Sequence, residues 1–146
     1  MEWGIYLSKG PFSANDPSVI YHICDKALFH SQMDSKAIYF PPTFQQDGFI
    51  HATREPACLL TVGNHFYKSS PGDWVCLEID PAYLGCRCIY ETPAPVGEIE
   101  SHVKGDAATS PHFPHIYGGL PRLAIVRTFD VIRGEQGEFL SIKGLC

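Results

Sequence analysis

The segment Trp74–Asp80 places the strongest constraint on how this chain folds. Val75, Leu77 and Ile79 alternate with a second set of side chains, and this period of two residues predicts a β-strand. Further strands are predicted where β-branched and aromatic residues cluster between turn signals, at 18–23, 49–52, 87–91, 123–132 and 138–142. The chain is therefore expected to be built mainly from strands.

Two helices are predicted, both in the first half of the chain. The first covers residues 25–33, and the second begins at Thr53, which we expect to cap it, and ends before Ser70. About six strands and two helices predict an α+β fold, with two helices packed on small, mostly antiparallel sheets.

A chain of 146 residues is long enough to bury one hydrophobic core without metal or disulfide support. We predict an N-terminal arm over residues 1–17 and a single domain over residues 18–146. Residues 92–112 contain several prolines and glycines and are expected to form a long loop. Loops of this length inside a small domain are usually functional or mobile.

The charge distribution limits the kinds of partner. The net charge is −5, of which −2 lies up to Asp73 and −3 follows it, so neither half has the basic excess that attracts nucleic acid. No run of residues reaches the ~20 apolar residues of a membrane span. The N-terminus does not resemble a secretion signal, so we expect a cytoplasmic protein with six free cysteines. The sequence does not indicate the oligomeric state.

Three of the seven histidines are candidates for chemistry. His22 and His51 lie near the ends of predicted strands, and His115 lies between Pro114 and Ile116. Imidazole both donates and accepts near neutral pH, which suits ligand contacts and proton transfer. The alternative is that each is a hydrogen-bonded histidine at the edge of the core.

The segment Phe113–Pro121 combines aromatic rings, a histidine, two fixed prolines and a Gly-Gly pair. Prolines restrict the backbone, while Gly118 and its neighbour permit a positive φ or the close approach of another group. This pattern predicts a ligand platform that includes Phe113 and Tyr117. An aromatic plug over one end of a sheet is the alternative.

Other polar residues complete the candidate set. Glu91 ends a predicted strand, where it would orient histidines or stabilise positive charge, unless it faces solvent. Arg54 lies at the predicted helix N-terminus, where it would help to hold a phosphate. The Cys86-x-Cys88 pair and the His112-x-x-His115 pair lack the spacing of a zinc site, and no metal is expected.

With these segments in view, the chain resembles the family catalogued as domain of unknown function 952. The resemblance covers residues from about 19 to 139. The residues that carry it are Ile20-Tyr21-His22-Ile23, Asp47-Gly48-Phe49-Ile50-His51-Ala52-Thr53, Leu77-Glu78-Ile79-Asp80, Tyr90-Glu91 and Phe113-Pro114-His115-Ile116-Tyr117-Gly118. The chain departs from the family pattern at Leu28 and Phe29, where a Trp is usual, and at Ala57, where a Gln is usual.

The resemblance implies an ADP-ribosyltransferase-like fold, in which NAD lies in a cleft between two small sheets. His22 matches the first-strand histidine that contacts a ribose, and His51 with Thr53 resembles the second-strand motif of the related RNA phosphotransferases. Tyr117 is a candidate for stacking. No motif fixes the glutamate that stabilises the transition state, so Glu91 and Glu138 are both candidates.

Two functions therefore compete. In the first, the protein is a transferase or hydrolase that acts on NAD or an ADP-ribose-like nucleotide. In the second, the pocket only binds a nucleotide or small metabolite, which requires no carboxylate at the reacting carbon. The candidate catalytic residues are His22, His51, Glu91 and His115, and the candidate ligand-binding residues are Thr53, Arg54, Phe113, Tyr117 and Gly118.

Overall fold

A computed structural model describes residues 19–101 and 112–146 of the chain. These residues form nine strands and three α-helices. In chain order, the elements are β1 (Ile20–Asp25), α1 (Lys26–Lys36), β2 (Ile38–Tyr39), α2 (Phe44–Asp47), β3 (Ile50–His51), α3 (Cys58–Phe66), β4 (Trp74–Ile79), β5 (Cys88–Glu91), β6 (Phe113–Ile116), β7 (Leu120–Pro121), β8 (Ile125–Arg133) and β9 (Phe139–Ile142).

The strands form three sheets in which every pair is antiparallel. The central sheet has the order β1-β4-β8-β9, a smaller sheet has the order β3-β6-β5, and β2 pairs with β7. The central and smaller sheets meet at one place, where the backbones of Tyr21 and Thr53 exchange hydrogen bonds of 2.7 and 2.8 Å. The predicted α+β class with antiparallel sheets is confirmed.

The central sheet separates two apolar clusters because successive side chains of a strand point to opposite faces. On one face, Ile20, Cys24 and Leu77 pack with α1 and the smaller sheets. On the other face, Tyr21, Ile23 and Cys76 belong to the cluster that contains residues of α3 and β9. Successive side chains of β4 therefore belong to alternate clusters, and all six residues of β4 are buried.

Helix α1 is delimited by its caps. The Asp25 carboxylate accepts a hydrogen bond from the Leu28 N–H at 2.9 Å, which satisfies one of the free donors of the first turn. Ala37 ends the helix with a φ of 58°, and its N–H contacts the Gln32 and Met33 carbonyls. The helix thus runs three residues beyond the predicted end at residue 33.

The second predicted helix begins later than expected. Thr53 does not cap it, because its backbone is engaged by Tyr21, and α3 begins only at Cys58 after Ala57. Arg54 is consequently exposed four residues before the helix, not at its N-terminus. The prediction of a phosphate site at that N-terminus therefore loses its geometric basis.

The sequence patterns did not predict three of the strands, namely β2, β6 and β7. Two of them are only two residues long, and β6 contains Pro114, which usually argues against a strand. Each forms because a distant segment pairs with it, which no local pattern reveals. The predicted platform Phe113–Pro121 is therefore largely a strand, a turn and a second strand.

Other predictions concern chain outside this description. The predicted arm over residues 1–17 and residues 102–111 of the predicted loop lie outside the described residues. Within the described part of that loop, the backbones of Val96 and Ile99 pair at 2.9 Å. In the described ranges, no helix combines the length and the apolar character needed to cross a membrane.

Gly63 is needed for α3 to pack on β9. A Cβ atom at this position would lie 2.4 Å from the ring of Phe139, which is buried. We expect Gly63→Ala to lower the free energy of unfolding by about 1–2 kcal/mol, because overpacking outweighs the gain in helix propensity. Urea denaturation measures this change. Thr61→Ala, at an exposed position of the same helix, is the control, and equal stability of Gly63→Ala and wild type would contradict the packing argument.

Candidate functional site

His51 and His115 lie directly opposite each other in the antiparallel pair of β3 and β6. Residues in such register project to the same face of the sheet, and the two ring centroids are 5.4 Å apart. Phe49 stacks on His115 with a centroid separation of 4.1 Å and also contacts His51 at 4.7 Å. Pairing of distant segments thus brings two predicted histidines together under one aromatic ring.

Each of these imidazoles contacts its own carboxylate. His115 Nδ1 lies 2.9 Å from Glu91 Oε1, and His51 Nε2 lies 2.9 Å from Asp47 Oδ2. A carboxylate only accepts, so the contacting nitrogen of each ring donates. The Tyr117 hydroxyl also donates to Glu91 Oε1. Each ring is therefore oriented, and its second nitrogen remains able to accept a proton or a hydrogen bond.

Burial and the carboxylates act in opposite directions on these histidines. Burial lowers the pKa of His115 and of His51, while Glu91 and Asp47 partly offset that effect. The hydrogen bonds from Tyr117 and His115 lower the pKa of Glu91. Near neutral pH the cluster therefore consists of neutral imidazoles beside an ionised glutamate, an arrangement capable of accepting protons.

His22 is held apart from this pair. Its Nδ1 donates to the His51 carbonyl oxygen at 2.5 Å, so it contacts the backbone of β3 and not the ring of His51. Its own ring lies 6.0 Å from the ring of Tyr39 between centroids. The side chain is buried, and burial lowers its pKa from 6.5 to about 4. Nε2 has no hydrogen-bond partner among the described residues. At neutral pH this nitrogen is an unprotonated, buried acceptor.

A cavity of about 580 Å³ lies beside His22. His22 lines this cavity, but its Nε2 has almost no accessible surface, so that nitrogen is enclosed by the fold and does not open into the cavity. Trp74 also lines the cavity, is buried, and has an indole N–H without a described partner. The described lining residues are His22, Ile23, Cys24, Asp25, Leu28, Tyr39, Pro41, Pro42, Thr43, Phe66, Tyr67, Ser70, Pro71, Trp74, Val96, Gly97, Glu98 and Ile99.

The edge of the central sheet contributes backbone groups to this cavity. Tyr21 exchanges both of its backbone hydrogen bonds with Thr53, so its N–H and C=O point away from β4. The N–H and C=O groups of successive residues point to alternate sides of a strand, so those of Ile23 point the same way as those of Tyr21. Ile23 lines the cavity and therefore directs a donor and an acceptor from the sheet edge towards it.

One turn connects the cavity with the histidine pair. Asp47, which contacts His51, also accepts from the Gly97 N–H at 3.2 Å. Gln46 donates to Glu98 at 2.8 Å, and both Gly97 and Glu98 line the cavity. The end of α2 thus fixes one wall of the cavity and orients His51 at the same time.

The structure separates the predicted site residues into two groups. His51, His115, Glu91 and Tyr117 form one cluster, whereas His22 lines the cavity, whose described wall includes none of those four. Glu138 lies elsewhere, in the connection between β8 and β9, and accepts from the Gln136 N–H at 2.8 Å.

The remaining predicted ligand residues also lie outside the described cavity wall. Thr53 is buried at the joint between the sheets, and Arg54 is exposed. Phe113 begins β6 opposite Glu91. Gly118 permits a close approach, because a Cβ there would lie 2.9 Å from the Cys86 side chain. The sequence analysis predicted either a positive φ or a close approach at this glycine pair, and Gly118 shows the close approach.

Sequence reasoning missed Trp74, Asp47 and Phe49. Trp74 begins the strongest predicted strand, and its position there gives no signal that it lines a cavity. Asp47 belongs to the family motif that contains His51, and it lies four residues before that histidine. Among the described residues, no group of three or more His, Cys, Asp or Glu side chains is arranged to hold a metal.

The amino-acid sequence matches a known family over most of its length. Residues 23–128 match the family described as "Protein of unknown function (DUF952)". The chain belongs to this family, which confirms the resemblance seen in the sequence. No curated protein matches the chain.

Solved structures of one protein share the fold. The crystal structure of protein CC0527 from Caulobacter crescentus is similar with a TM-score of 0.61 and 19% identity, covering 82% of this chain and 91% of that chain. Its solution NMR structure gives a TM-score of 0.58 at 19% identity, covering 88% and 93% respectively. At this identity the similarity concerns the fold alone.

The buried His22 makes stability depend on pH. Its folded pKa of about 4 lies below the unfolded value of 6.5, so the unfolded chain takes up a proton first as the pH falls. Its contribution to the free energy of unfolding should therefore fall by about 2 kcal/mol between about pH 7 and pH 5. His22→Asn keeps a donor for the His51 carbonyl but does not titrate. We expect urea denaturation to show a steeper loss for wild type than for this variant; parallel losses would contradict it.

The two carboxylate–imidazole pairs should respond separately to substitution. Glu91→Gln removes the charge that raises the pKa of His115, so that pKa should fall, while that of His51 changes little. Asp47→Asn should do the reverse and serves as the matched control. NMR titration of the imidazole resonances measures both values. A common shift of both histidines in either variant would show that the pairs are not independent.

Proposed function

We propose that this protein binds a small planar ring compound, such as the ring of a nucleotide, in the cavity beside β1. The observation that carries the proposal is the open edge of β1 in an aromatic cavity of about 580 Å³, where Ile23 directs a backbone N–H and C=O away from β4. A ligand that pairs with both groups gains two hydrogen bonds at the sheet edge.

The backbone of Ile23 defines what the ligand must offer. Its N–H donates and its C=O accepts. The complementary ligand therefore carries at least one acceptor and one donor, as amides and nucleobases do.

The remaining wall favours a flat apolar body. Tyr67 and Trp74 pack with ring centroids 4.5 Å apart, and Tyr39 and Phe66 line the same cavity. Aromatic walls with a few directed polar groups are typical of sites for small organic molecules, and 580 Å³ lies within their usual size range. These features support a ring compound over a long flexible chain.

Binding without turnover is the form of the proposal that the geometry supports best. Glu91, the first candidate for stabilising a cation, bonds to Tyr117 and His115, and it and Glu138 are absent from the described cavity wall. The carboxylates that do line the cavity, Asp25 and Glu98, accept hydrogen bonds from the Leu28 N–H and the Gln46 amide. The family resemblance implies a glutamate at the reacting carbon for a transferase or hydrolase of NAD, and neither candidate glutamate lies on this wall. We therefore propose the binding module, with NAD and ADP-ribose-like nucleotides as ligands to be tested through their rings.

Calorimetry with nicotinamide, AMP, ADP-ribose and NAD tests the proposal. We expect at least one of these compounds to bind with a stoichiometry of one, and NAD to be recovered intact after incubation. Release of nicotinamide would favour the enzymatic reading instead. Absence of heat with all four compounds, confirmed by unchanged melting temperatures, would oppose this ligand class.

Tyr67→Leu tests the aromatic wall of the cavity. The substitution removes a ring that lines the cavity, so the best-binding compound should lose about fivefold in affinity, equivalent to about 1 kcal/mol. Tyr90→Leu, at an exposed position outside the described cavity wall, is the matched control. Equal affinity in the two variants would remove Tyr67 from the site.

A further inference from the structure

His51 and His115 form the closest kind of cross-strand pair. The Ala52 N–H donates to the Pro114 carbonyl at 3.1 Å, so that carbonyl faces β3 and the backbone groups of the next residue, His115, face β5. The two histidines are therefore a non-hydrogen-bonded pair of the antiparallel ladder. Side chains approach each other more closely in such pairs than in hydrogen-bonded ones. The backbone thus fixes the two imidazoles side by side on one face of the smaller sheet.

Each of these rings has one nitrogen left for another partner. The nitrogen that faces a carboxylate, Nε2 of His51 or Nδ1 of His115, donates to it, which leaves His51 Nδ1 and His115 Nε2 as acceptors. Within the described parts of the chain, the enclosed ring nitrogens that lack a partner are His22 Nε2 and Trp74 Nε1. The two acceptors are not among them, so each keeps some surface that a ligand can reach.

Two acceptors without a donor restrict the chemistry of that ligand. Imidazoles that present only acceptors, beside the Glu91 carboxylate, offer nothing to an anion. Imidazole nitrogen suits Zn²⁺, Cu²⁺ and Ni²⁺, whereas Mg²⁺ and Ca²⁺ prefer oxygen ligands. The nearby carboxylates, Asp47 and Glu91, already accept hydrogen bonds from the rings. The pair therefore favours a transition-metal cation.

The separation of the rings fits one shared ion. Zn²⁺ lies about 2.0–2.1 Å from an imidazole nitrogen, so two rings on one tetrahedral ion have centroids about 5 Å apart. The centroids of His51 and His115 are 5.4 Å apart. Histidines that bind a metal commonly donate their other N–H to a carboxylate, which orients the ring and raises its basicity. Asp47 and Glu91 hold that position on the two rings.

We propose that His51 and His115 bind one late first-row transition-metal ion, of the class of Zn²⁺, Ni²⁺ or Cu²⁺. The site lies apart from the described wall of the cavity beside β1 and does not depend on the ligand proposed there. No third His, Cys, Asp or Glu side chain of the described residues completes it, so water fills the other positions and the ion is exchangeable. Spacing along the chain gave no sign of this site, because the register of β3 and β6 creates the pair.

Calorimetry with Zn²⁺ and Mn²⁺, in the presence of a thiol-free reductant, tests the site. We expect one Zn²⁺ per chain, bound at least about tenfold more tightly than Mn²⁺, because affinity rises towards the later metals of the row. His51→Gln and His115→Gln should each weaken Zn²⁺ binding at least about tenfold, because each removes a ligand. His30→Gln, at an exposed position of α1, is the matched control and should keep the wild-type affinity.

Paramagnetic NMR tests the site without any substitution. Substoichiometric Ni²⁺ should broaden the ring resonances of His51 and His115 before those of His30 on α1 and His65 on α3. This measurement on the wild-type chain decides the question if either variant fails to fold, which melting temperatures would show.

Several results would overturn the inference. Zn²⁺ binding that both His51→Gln and His115→Gln retain would place the ion elsewhere, for instance at the free cysteines. Equal binding of Zn²⁺ and Mn²⁺ would indicate oxygen ligands and not imidazoles. Absence of Zn²⁺ binding, or broadening by Ni²⁺ that spares both rings, would exclude the site altogether.

Discussion

The two backbone hydrogen bonds between Tyr21 and Thr53 connect the two parts of the fold that form the candidate site. They attach the smaller sheet to the edge of β1 at one position and leave the next outward-facing residue, Ile23, beside the cavity. The same attachment brings the His51 carbonyl to His22 Nδ1. A single backbone bridge therefore sets the orientation of a buried imidazole and the open length of a sheet edge.

The three central histidines differ because their partners differ. His51 and His115 each contact a carboxylate, which offsets part of the cost of burial. His22 donates to a carbonyl, lies 6.0 Å from the Tyr39 ring between centroids, and is neutral with its second nitrogen enclosed. Buried polar atoms are nearly always paired in folded proteins, so His22 Nε2 and Trp74 Nε1, on opposite faces of the central sheet, are two separate exceptions among the described residues.

Local patterns were sufficient for much of the secondary structure. The alternation in β4 and the clusters of β-branched and aromatic residues in β1 and β8 are properties of neighbouring residues. Patterns of this kind predicted six of the nine strands of the described residues. The start of α3 could not be predicted, because Thr53 is held extended by Tyr21, more than thirty residues before it.

The sequence by itself determined the α+β class, the antiparallel strands and the identity of the candidate imidazoles, because hydrophobic period and residue type are local properties. Tertiary structure decided which of those imidazoles meet. Cross-strand register placed His115 opposite His51, and the edge position of β1 placed His22 beside the cavity, away from that pair. These juxtapositions arise from hydrogen bonds between segments far apart in the chain, whose pairing no local pattern specifies.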